Sequence, residues 1–395
     1  MIENEGSLSR REFLAATTLA GVGLWSGMLR PPETPMLYVG TYTEAGRRDG
    51  IHLLRLDPTT GALRRVGVVD AGSNPSFLAI HPNGKTLFAV NEVTEMAGKP
   101  TGSVRSFAID AVSGKLTLIN ERLSEGGAPC YVCTDRTGRV AMVANYVGGT
   151  VALLVVREDG SLTNAAQVVQ HVGTGKLPDR QEHAHAHCII PHPTNRFAVA
   201  ADLGIDRVLV YRLDAVAASL SHVDASGATL APGTGPRHLA FHPTLPLLYV
   251  AGELNSTVSV MRCDAETGML SLTQTIGTLP PAFAGANFPA DIHLSSDGRA
   301  LYLSNRGHNS IAVFGVDPAT GMLATRQHVS TGGDWPRNFT LDPSGRWLLV
   351  ANQRSGSIVV FARDAETGRL TPTSQPIDVP SPVCLRFQSQ AGSTT

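Results

Sequence analysis

Seven times along the chain an acidic residue opens a short turn that usually carries a glycine and closes on a leucine. Nothing else in the sequence restricts the fold so tightly. The pattern runs Asp57–Leu63, Asp110–Leu116, Glu158–Leu162, Asp214–Leu220, Asp264–Leu270, Asp317–Leu323 and Asp364–Leu370. Successive leucines are 46 to 58 residues apart. An aspartate followed by a glycine is turn chemistry, and such a turn joins two strands. Between these turns lies a second pattern: a short apolar strand, a His-Pro or Asp-Gly turn, and another apolar strand. Pro75 to Pro82 followed by Leu87 to Glu92 is one instance, and Pro236 to Pro243 followed by Leu248 to Glu253 is another. Four strands in about 50 residues make a propeller blade. No long helical pattern interrupts them. The expected fold is all-β, a seven-bladed β-propeller with four antiparallel strands per blade.

The two ends of the repeat region complete each other. Met36 to Tyr42 matches the second strand of a blade and has no first strand before it. Pro382 to Phe387 matches a first strand and has no second strand after it. Their pairing would close the ring and remove the exposed edges of an open array. The 395 residues, with 40 glycines and 25 prolines for the turns, therefore read as one propeller domain over 36–395. Residues 1–35 are different. Ser9-Arg10-Arg11-Glu12-Phe13-Leu14 precedes an uncharged run from Phe13 to Leu29, and Arg30-Pro31-Pro32-Glu33-Thr34-Pro35 forms a stiff linker. Paired arginines before a moderately apolar stretch mark a twin-arginine export signal. The run is short for a full membrane span. The expected location is periplasmic or secreted. No clean Ala-x-Ala cleavage site follows, so a signal-anchored form is the alternative.

Charge excludes some classes of partner. The formal net charge is −1 and only 16% of residues are charged. Such a balance gives no global attraction to nucleic acid or to an anionic membrane, so an acidic ligand would have to be caught by local arginines. The expected self-association is none or weak. The five cysteines are an odd number in a long chain and imply no disulfide framework. Cys130 and Cys133 fall on one strand, where positions three apart face opposite ways. They read as buried small residues, not as a metal or redox pair.

Aligning the repeats produces two columns of residues. The first, near the start of each inner strand, holds Ser76, Cys130, His187, Arg237, Asp291, Arg337 and Val383. The second, at the end of the following strand, holds Glu92, Tyr146, Asp202, Glu253, Arg306, Gln353 and Tyr42. In an antiparallel hairpin the start of one strand lies beside the end of the next, so both columns would ring one mouth of the central channel. Strand ends are often polar because they meet water. Three arginines, a histidine and several carboxylates on one axis nevertheless exceed what a solvated rim needs, and convergent ionisable groups define a binding or catalytic site. The run His183-Ala-His185-Ala-His187 adds to this mouth. Alternation along a strand would put the three imidazoles on one side. Metal binding and acid–base work are both open to such a set. No Asp or Cys partner at fixed spacing strengthens the metal reading, and acid–base work or substrate contact is the preferred role. No Gly-x-Ser-x-Gly elbow is present, which argues against a serine hydrolase. His81, His192 and His242 precede prolines in the repeated turn and read as structural.

These motifs together resemble the lactonase family of seven-bladed propellers, which includes bacterial 6-phosphogluconolactonases and the fungal carboxy-muconate lactonising enzyme. The matching stretches are Tyr38 to Tyr42, Arg180-Gln181 with His185-Ala-His187, Ala201 to Gly204, Gly235 to His238, Glu253 to Ser256, Ala290 to Ile292, Ser304 to Gly307 and Pro336-Arg337. The resemblance spans the repeat region. It implies catalytic roles for His185 or His187, Arg237, Glu253 and Arg306. Arg337, Asp291, Asp202, Glu92, Tyr146 and Gln353 are the further substrate-binding candidates from the columns. The implied chemistry is lactone hydrolysis. Glu253 or a neutral histidine would take a proton from water, while Arg237 and Arg306 would hold the oxyanion and an anionic substrate group. No cofactor is needed for this. A lactonising cycloisomerase would use the same residues in reverse, and a non-catalytic binding platform is the third alternative. An exported chain would rarely meet a phosphorylated cytosolic lactone, which favours an unphosphorylated sugar lactone or another cyclic ester.

Overall fold

The computed structural model describes residues 34–43, 50–223, 226–373 and 376–388. Every regular element among them is a β-strand. The strands form seven antiparallel sheets, the seven blades expected. The first strands of blades 1 to 6 are Leu78–Ile80, Pro129–Thr134, Ala186–Pro191, Pro236–Phe241, Phe288–Leu294 and Pro336–Leu341. Blade 7 begins at the other end of the chain. Its first strand, Pro382–Phe387, pairs antiparallel with Met36–Thr41, and Ile51–Leu56 and Leu63–Val69 complete it. The first strands touch one another in an unbroken ring, blade 7 against blade 1 included. Two sheets carry a fifth strand only because their outer strand is broken. Ser219–His222 with Ala228–Thr229 and Leu370–Pro372 with Ile377–Asp378 each share one partner strand. The twin-arginine signal and almost all of the linker expected over 1–35 lie outside the described residues.

Position within the blade explains the sequence pattern of each strand. The second strands are buried on both faces between neighbouring blades, as in Thr86–Asn91, Val140–Asn145 and Trp347–Asn352. They therefore read as continuous apolar runs. The outer strands meet water on one side, and Leu162–Gln170 alternates accordingly.

The repeated acidic turn serves two purposes. Its aspartate caps the turn: Asp317 Oδ1 accepts the backbone N–H groups of Ala319 and Thr320, and Asp264 and Asp364 do the same in their blades. Gly321 follows with φ of 70°, a conformation costly for residues with a Cβ. The turn also ties each blade to the one before it. Tyr249 Oη donates to Gly321 O at 2.8 Å, and Tyr302 Oη donates to Gly368 O at 2.8 Å. An outer-strand amide then latches onto the leucine that ends the motif. Gln327 Nε2 donates to Leu370 O at 2.9 Å and its Oε1 accepts from Leu370 N at 2.9 Å. Gln274 holds Leu323, Gln167 holds Leu220 and Asn120 holds Leu162 in the same two-bond manner.

The expectation for the cysteine pair needs one correction. Cys130 and Cys133 are free thiols on the first strand of blade 2, but they do not face opposite ways. Cys130 Sγ lies 3.5 Å from His187 O, and Cys133 Sγ lies 3.0 Å from Ile189 O. Both meet the first strand of blade 3. The register shifts between Pro129 and Tyr131, and this bulge inverts the alternation that the spacing suggested.

The latches are testable. Gln327→Ala removes two part-buried hydrogen bonds between blades 5 and 6, and should lower stability by about 1–3 kcal/mol. A urea midpoint shifted to lower concentration, with an unchanged far-ultraviolet dichroism spectrum, is the expected result.

Candidate active site at the channel mouth

The bulge in blade 2 recurs around the ring. Register shifts of one residue occur at Ala186/Cys188, Pro236/Leu239, Pro289/Ile292, Pro336/Asn338 and Pro382/Cys384, each set against a regular partner strand. These intervals contain His187, Arg237, Asp291, Arg337 and Val383. A bulged residue is freed from the ladder and its side chain is re-aimed. Six of the seven first-column residues thus sit where the strand turns them out of register. Just before the bulge, Ala128, Trp335 and Ser381 have φ of 52°, 67° and 41° although each precedes a proline. Such backbone costs on the order of 1–3 kcal/mol and persists where the surroundings enforce it.

The second column is fixed by a recurring backbone bond. Glu92 N donates to Asn74 O, Tyr146 N to Ala128 O, Glu253 N to Gly235 O, Gln353 N to Trp335 O and Tyr42 N to Ser381 O. In blade 3 the equivalent bond is Leu203 N to His185 O. Leu203, not Asp202, holds the column position. Asp202 lies one residue earlier and its carboxylate is fully engaged elsewhere. It meets His171 Nδ1 at 2.6 Å and accepts the backbone N–H groups of His185 and Gly204. It supports the loop that carries His185, and the structure does not bring it to the mouth.

The centre of the mouth is one carboxylate shared by three guanidinium groups. Glu253 Oε1 accepts from Arg180 Nη2 at 2.6 Å, and Oε2 lies 2.8 Å from Arg306 Nη2. Arg237 Nε is 2.9 Å from the same Oε2, at ion-pair distance but with its N–H off the hydrogen-bond line. Glu253, Arg237 and Arg306 are all buried. Burial by itself would push Glu253 up, but the charges of Arg306, Arg237 and Arg180 outweigh it and hold the carboxyl down at about 2. Burial also pushes Arg306 down to about 9, because one carboxylate divided among three cations compensates each of them only in part. Arg306 keeps its charge at neutral pH.

Arg237 is positioned from behind. Its Nη1 donates to Ala290 O at 2.6 Å and lies 3.1 Å from His238 Nε2. His238 Nδ1 meets Asp291 Oδ1 at 2.8 Å. Burial and the neighbouring Arg237 hold His238 down to about 3, so it is neutral, with its proton on Nδ1 toward Asp291. Asp291 further takes His293 Nε2 at 2.9 Å and the Asn338 amide. Asp291, expected at the substrate, is thus a buried anchor whose partners reach Arg237.

Arg337 lines a cavity with Ser76, Glu92, Cys130 and Arg237. Its Nη2 donates to Tyr42 Oη at 2.8 Å, Tyr42 Oη donates to Glu92 Oε1 at 2.8 Å, and Ser76 Oγ donates to Glu92 Oε2. His187 is buried, with Nδ1 3.6 Å from Cys130 Sγ and its ring edge-on to Tyr146 and His238. Burial and then the charges of Arg237 and Arg337 keep it well below its ordinary value, hence neutral. Gln353 Oε1 is buried with no hydrogen-bond partner among the described residues.

The three histidines do not share one strand face. The first strand of blade 3 starts at Ala186, so His183 and His185 belong to the loop before it. His185 stacks on Tyr146 with ring centres 4.3 Å apart, and only His187 sits in the bulge. Sequence reasoning omitted Arg180 and His238 from the site. Arg180 belongs to the loop between blades 2 and 3, outside both columns. Its neighbour Gln181 pins that loop by donating to Leu203 O and Asp206 Oδ1, both at 2.8 Å. The pairs Arg180-Gln181 and Arg237-His238 were the available signals.

The shared carboxylate makes a pH prediction. Glu253 ionises far more readily folded than unfolded, from an ordinary value of 4.5 to about 2. Its contribution is complete above pH 4.5 and is lost as pH falls from 4.5 toward 2. The full difference is about 3 kcal/mol. Unfolding midpoints of the wild type should fall over that interval more steeply than those of Glu253→Gln.

Comparison with known proteins agrees with this architecture. Residues 36–387 match the family model described as lactonase, seven-bladed β-propeller. The chain is 38% identical over 354 residues to a 6-phosphogluconolactonase from Bacillus subtilis, covering 89% of this chain and 98% of the relative. It is 33% identical over 299 residues to a 6-phosphogluconolactonase from Formosa agariphila, covering 75% and 83%. The solved structure of a periplasmic gluconolactonase from Pseudomonas aeruginosa superposes with a TM-score of 0.83 at 38% identity, covering 90% of this chain and 99% of that one. A propeller whose bulged strands gather arginines around one buried carboxylate therefore belongs to the lactonase family of seven-bladed β-propellers.

Proposed function

We propose that this lactonase hydrolyses an unphosphorylated sugar lactone outside the cytoplasm, at the arginine-rich mouth. The observation that carries the reading is the charge balance there. Arg180, Arg237, Arg306 and Arg337 face two carboxylates, Glu253 and Glu92. A lactone ring is neutral, whereas the tetrahedral intermediate and the open-chain product are anions. A preformed surplus of positive charge in a buried site favours the charge that develops over the ground state.

The residues divide the work as follows. Glu253 is a poor base, because both of its oxygens are already engaged by arginines. Its role is to fix the guanidinium groups. His187 is the neutral imidazole of the bulged column and takes the proton of the attacking water. The lactone carbonyl oxygen gains the negative charge beside Arg237 and Arg306. Collapse of the intermediate breaks the ring C–O bond, and the proton held by His187 passes to the departing alkoxide. The new carboxyl group gives up its remaining proton to solvent, and the product carboxylate stays opposite the arginines until it leaves. Arg337 and Glu92, which line the cavity, supply contacts for sugar hydroxyls.

Two considerations support export and an unphosphorylated substrate. Ser9-Arg10-Arg11 before the uncharged run has the pattern of a twin-arginine signal, and one solved relative, 38% identical and matched over 99% of its length, is a periplasmic gluconolactonase.

Loss of one oxyanion donor costs about 10²–10³-fold in turnover. Arg237→Ala and Arg306→Ala should each lose that much in kcat/KM on an unphosphorylated aldonolactone, followed by acid release in a pH-stat. Glu253→Gln should lose activity without creating a base dependence. Wild-type rates in folded Arg237→Ala and Arg306→Ala would refute the assignment. A clear preference for the 6-phosphorylated lactone would refute the substrate. For export, the Arg10→Lys/Arg11→Lys double variant should leave the protein in the cytoplasmic fraction, while the wild type is found outside it.

A further inference from the structure

Glu182, His183 and His185 bring one carboxylate oxygen and two imidazole nitrogens together at the edge of the mouth. Their potential ligand atoms all lie within 4.8 Å of one another. Glu182 Oε1 is 3.4 Å from His183 Nε2 and 3.2 Å from His185 Nε2. The tautomers follow from the other ring nitrogens. His183 Nδ1 lies 2.8 Å from Ala184 O, and His185 Nδ1 lies 2.9 Å from Tyr146 O. A carbonyl oxygen can only accept, so both Nδ1 atoms carry hydrogen. Each neutral imidazole then points an Nε2 lone pair at the same carboxylate oxygen. Three acceptors facing one another repel unless a cation lies among them: a proton on each ring, or a metal ion.

We propose that Glu182, His183 and His185 form a site for a divalent transition ion, with zinc the best match. Zinc takes imidazole nitrogen and carboxylate oxygen at about 2.0–2.2 Å in tetrahedral geometry, which sets ligand–ligand edges of about 3.4 Å. The two Glu–His separations already have that length. The His–His edge closes by a small rotation of His183, whose side chain is half exposed. Backbone carbonyls that hold the far nitrogen of each imidazole are the outer shell that orients metal-bound histidines. Soft-ion sites would need sulfur and magnesium sites more oxygen, and this set has neither.

Three protein ligands leave the fourth position open toward a surface groove that Glu182 and His183 share with Gly148, Gln170 and His171. The ion would also pin the loop before blade 3. His185 stacks on Tyr146, and the same loop carries Arg180 to Glu253. The site stands apart from the proposed hydrolysis, because it uses none of the arginines and leaves His187 free to act as base.

The test is metal binding and does not depend on a substrate. The untagged full chain, freed of metal by chelator, is titrated calorimetrically with Zn²⁺ at pH 7.5. One ion should bind per chain, and the thermal midpoint should rise. Co²⁺ should give the visible bands of a tetrahedral site. His183→Ala and Glu182→Gln change half-exposed side chains, so both variants should fold. Each should weaken Zn²⁺ binding by more than about tenfold and abolish the Co²⁺ bands. No stoichiometric uptake by the wild type would overturn the proposal, and so would unchanged uptake in both variants.

Discussion

One carboxylate surrounded by three guanidinium groups is the interaction on which this site depends. Without Glu253, the buried charges of Arg237 and Arg306 would face one another and Arg337 uncompensated, and removing one partner of a buried ion pair costs several kcal/mol. With it, Arg180 from the loop before blade 3, Arg237 from blade 4 and Arg306 from blade 5 are drawn to a single point. Three cations on one anion still leave a surplus of charge. The carboxylate keeps that surplus ordered, and an anion formed during reaction finds it already in place.

The fold supplies the convergence. Each blade begins its first strand beside the axis, and in six blades a one-residue bulge turns a side chain out of register at the same height. Seven near-identical hairpins thereby offer seven positions that can differ in chemistry while the backbone repeats. The inter-blade latches from Asn120, Gln167, Gln274 and Gln327 lie at the outer strands, far from this centre along each sheet. Stability at the rim and chemistry at the axis are therefore carried by different residues of the same repeat.

The repeat made the fold legible in the sequence. An acidic residue, usually a glycine, and a leucine within one short turn specify a hairpin, and the lone strands at the two ends specify closure. The columns placed Glu253, Arg237, Arg306 and Arg337 around one mouth for the same reason. Alignment failed where local geometry departs from the repeat. Asp202 was set one residue out of phase because an acid ending a strand resembles Glu253, yet Leu203 holds the column. The bulges reversed the facing of Cys130 and Cys133, and a bulge has no signature in a run such as Pro129 to Thr134. The histidine run looked like a strand, but the ladder begins only at Ala186. Arg180 was missed as a site residue because it arrives from a loop, and a loop has no period to align. The pairing of Glu182 with His183 and His185 was hidden for a similar reason, since sequence neighbours meet here through a turn and not through spacing along a strand.

The charge surplus at the mouth is central to this account, and a structure with bound aldonate, the product of lactone hydrolysis, examines it most directly. The product carboxylate should lie within hydrogen-bond distance of both Arg237 and Arg306, with Glu253 still bridging the arginines and His187 beside the hydroxyl released by ring opening. A carboxylate bound away from both arginines, or one that displaces Glu253 from them, would contradict it.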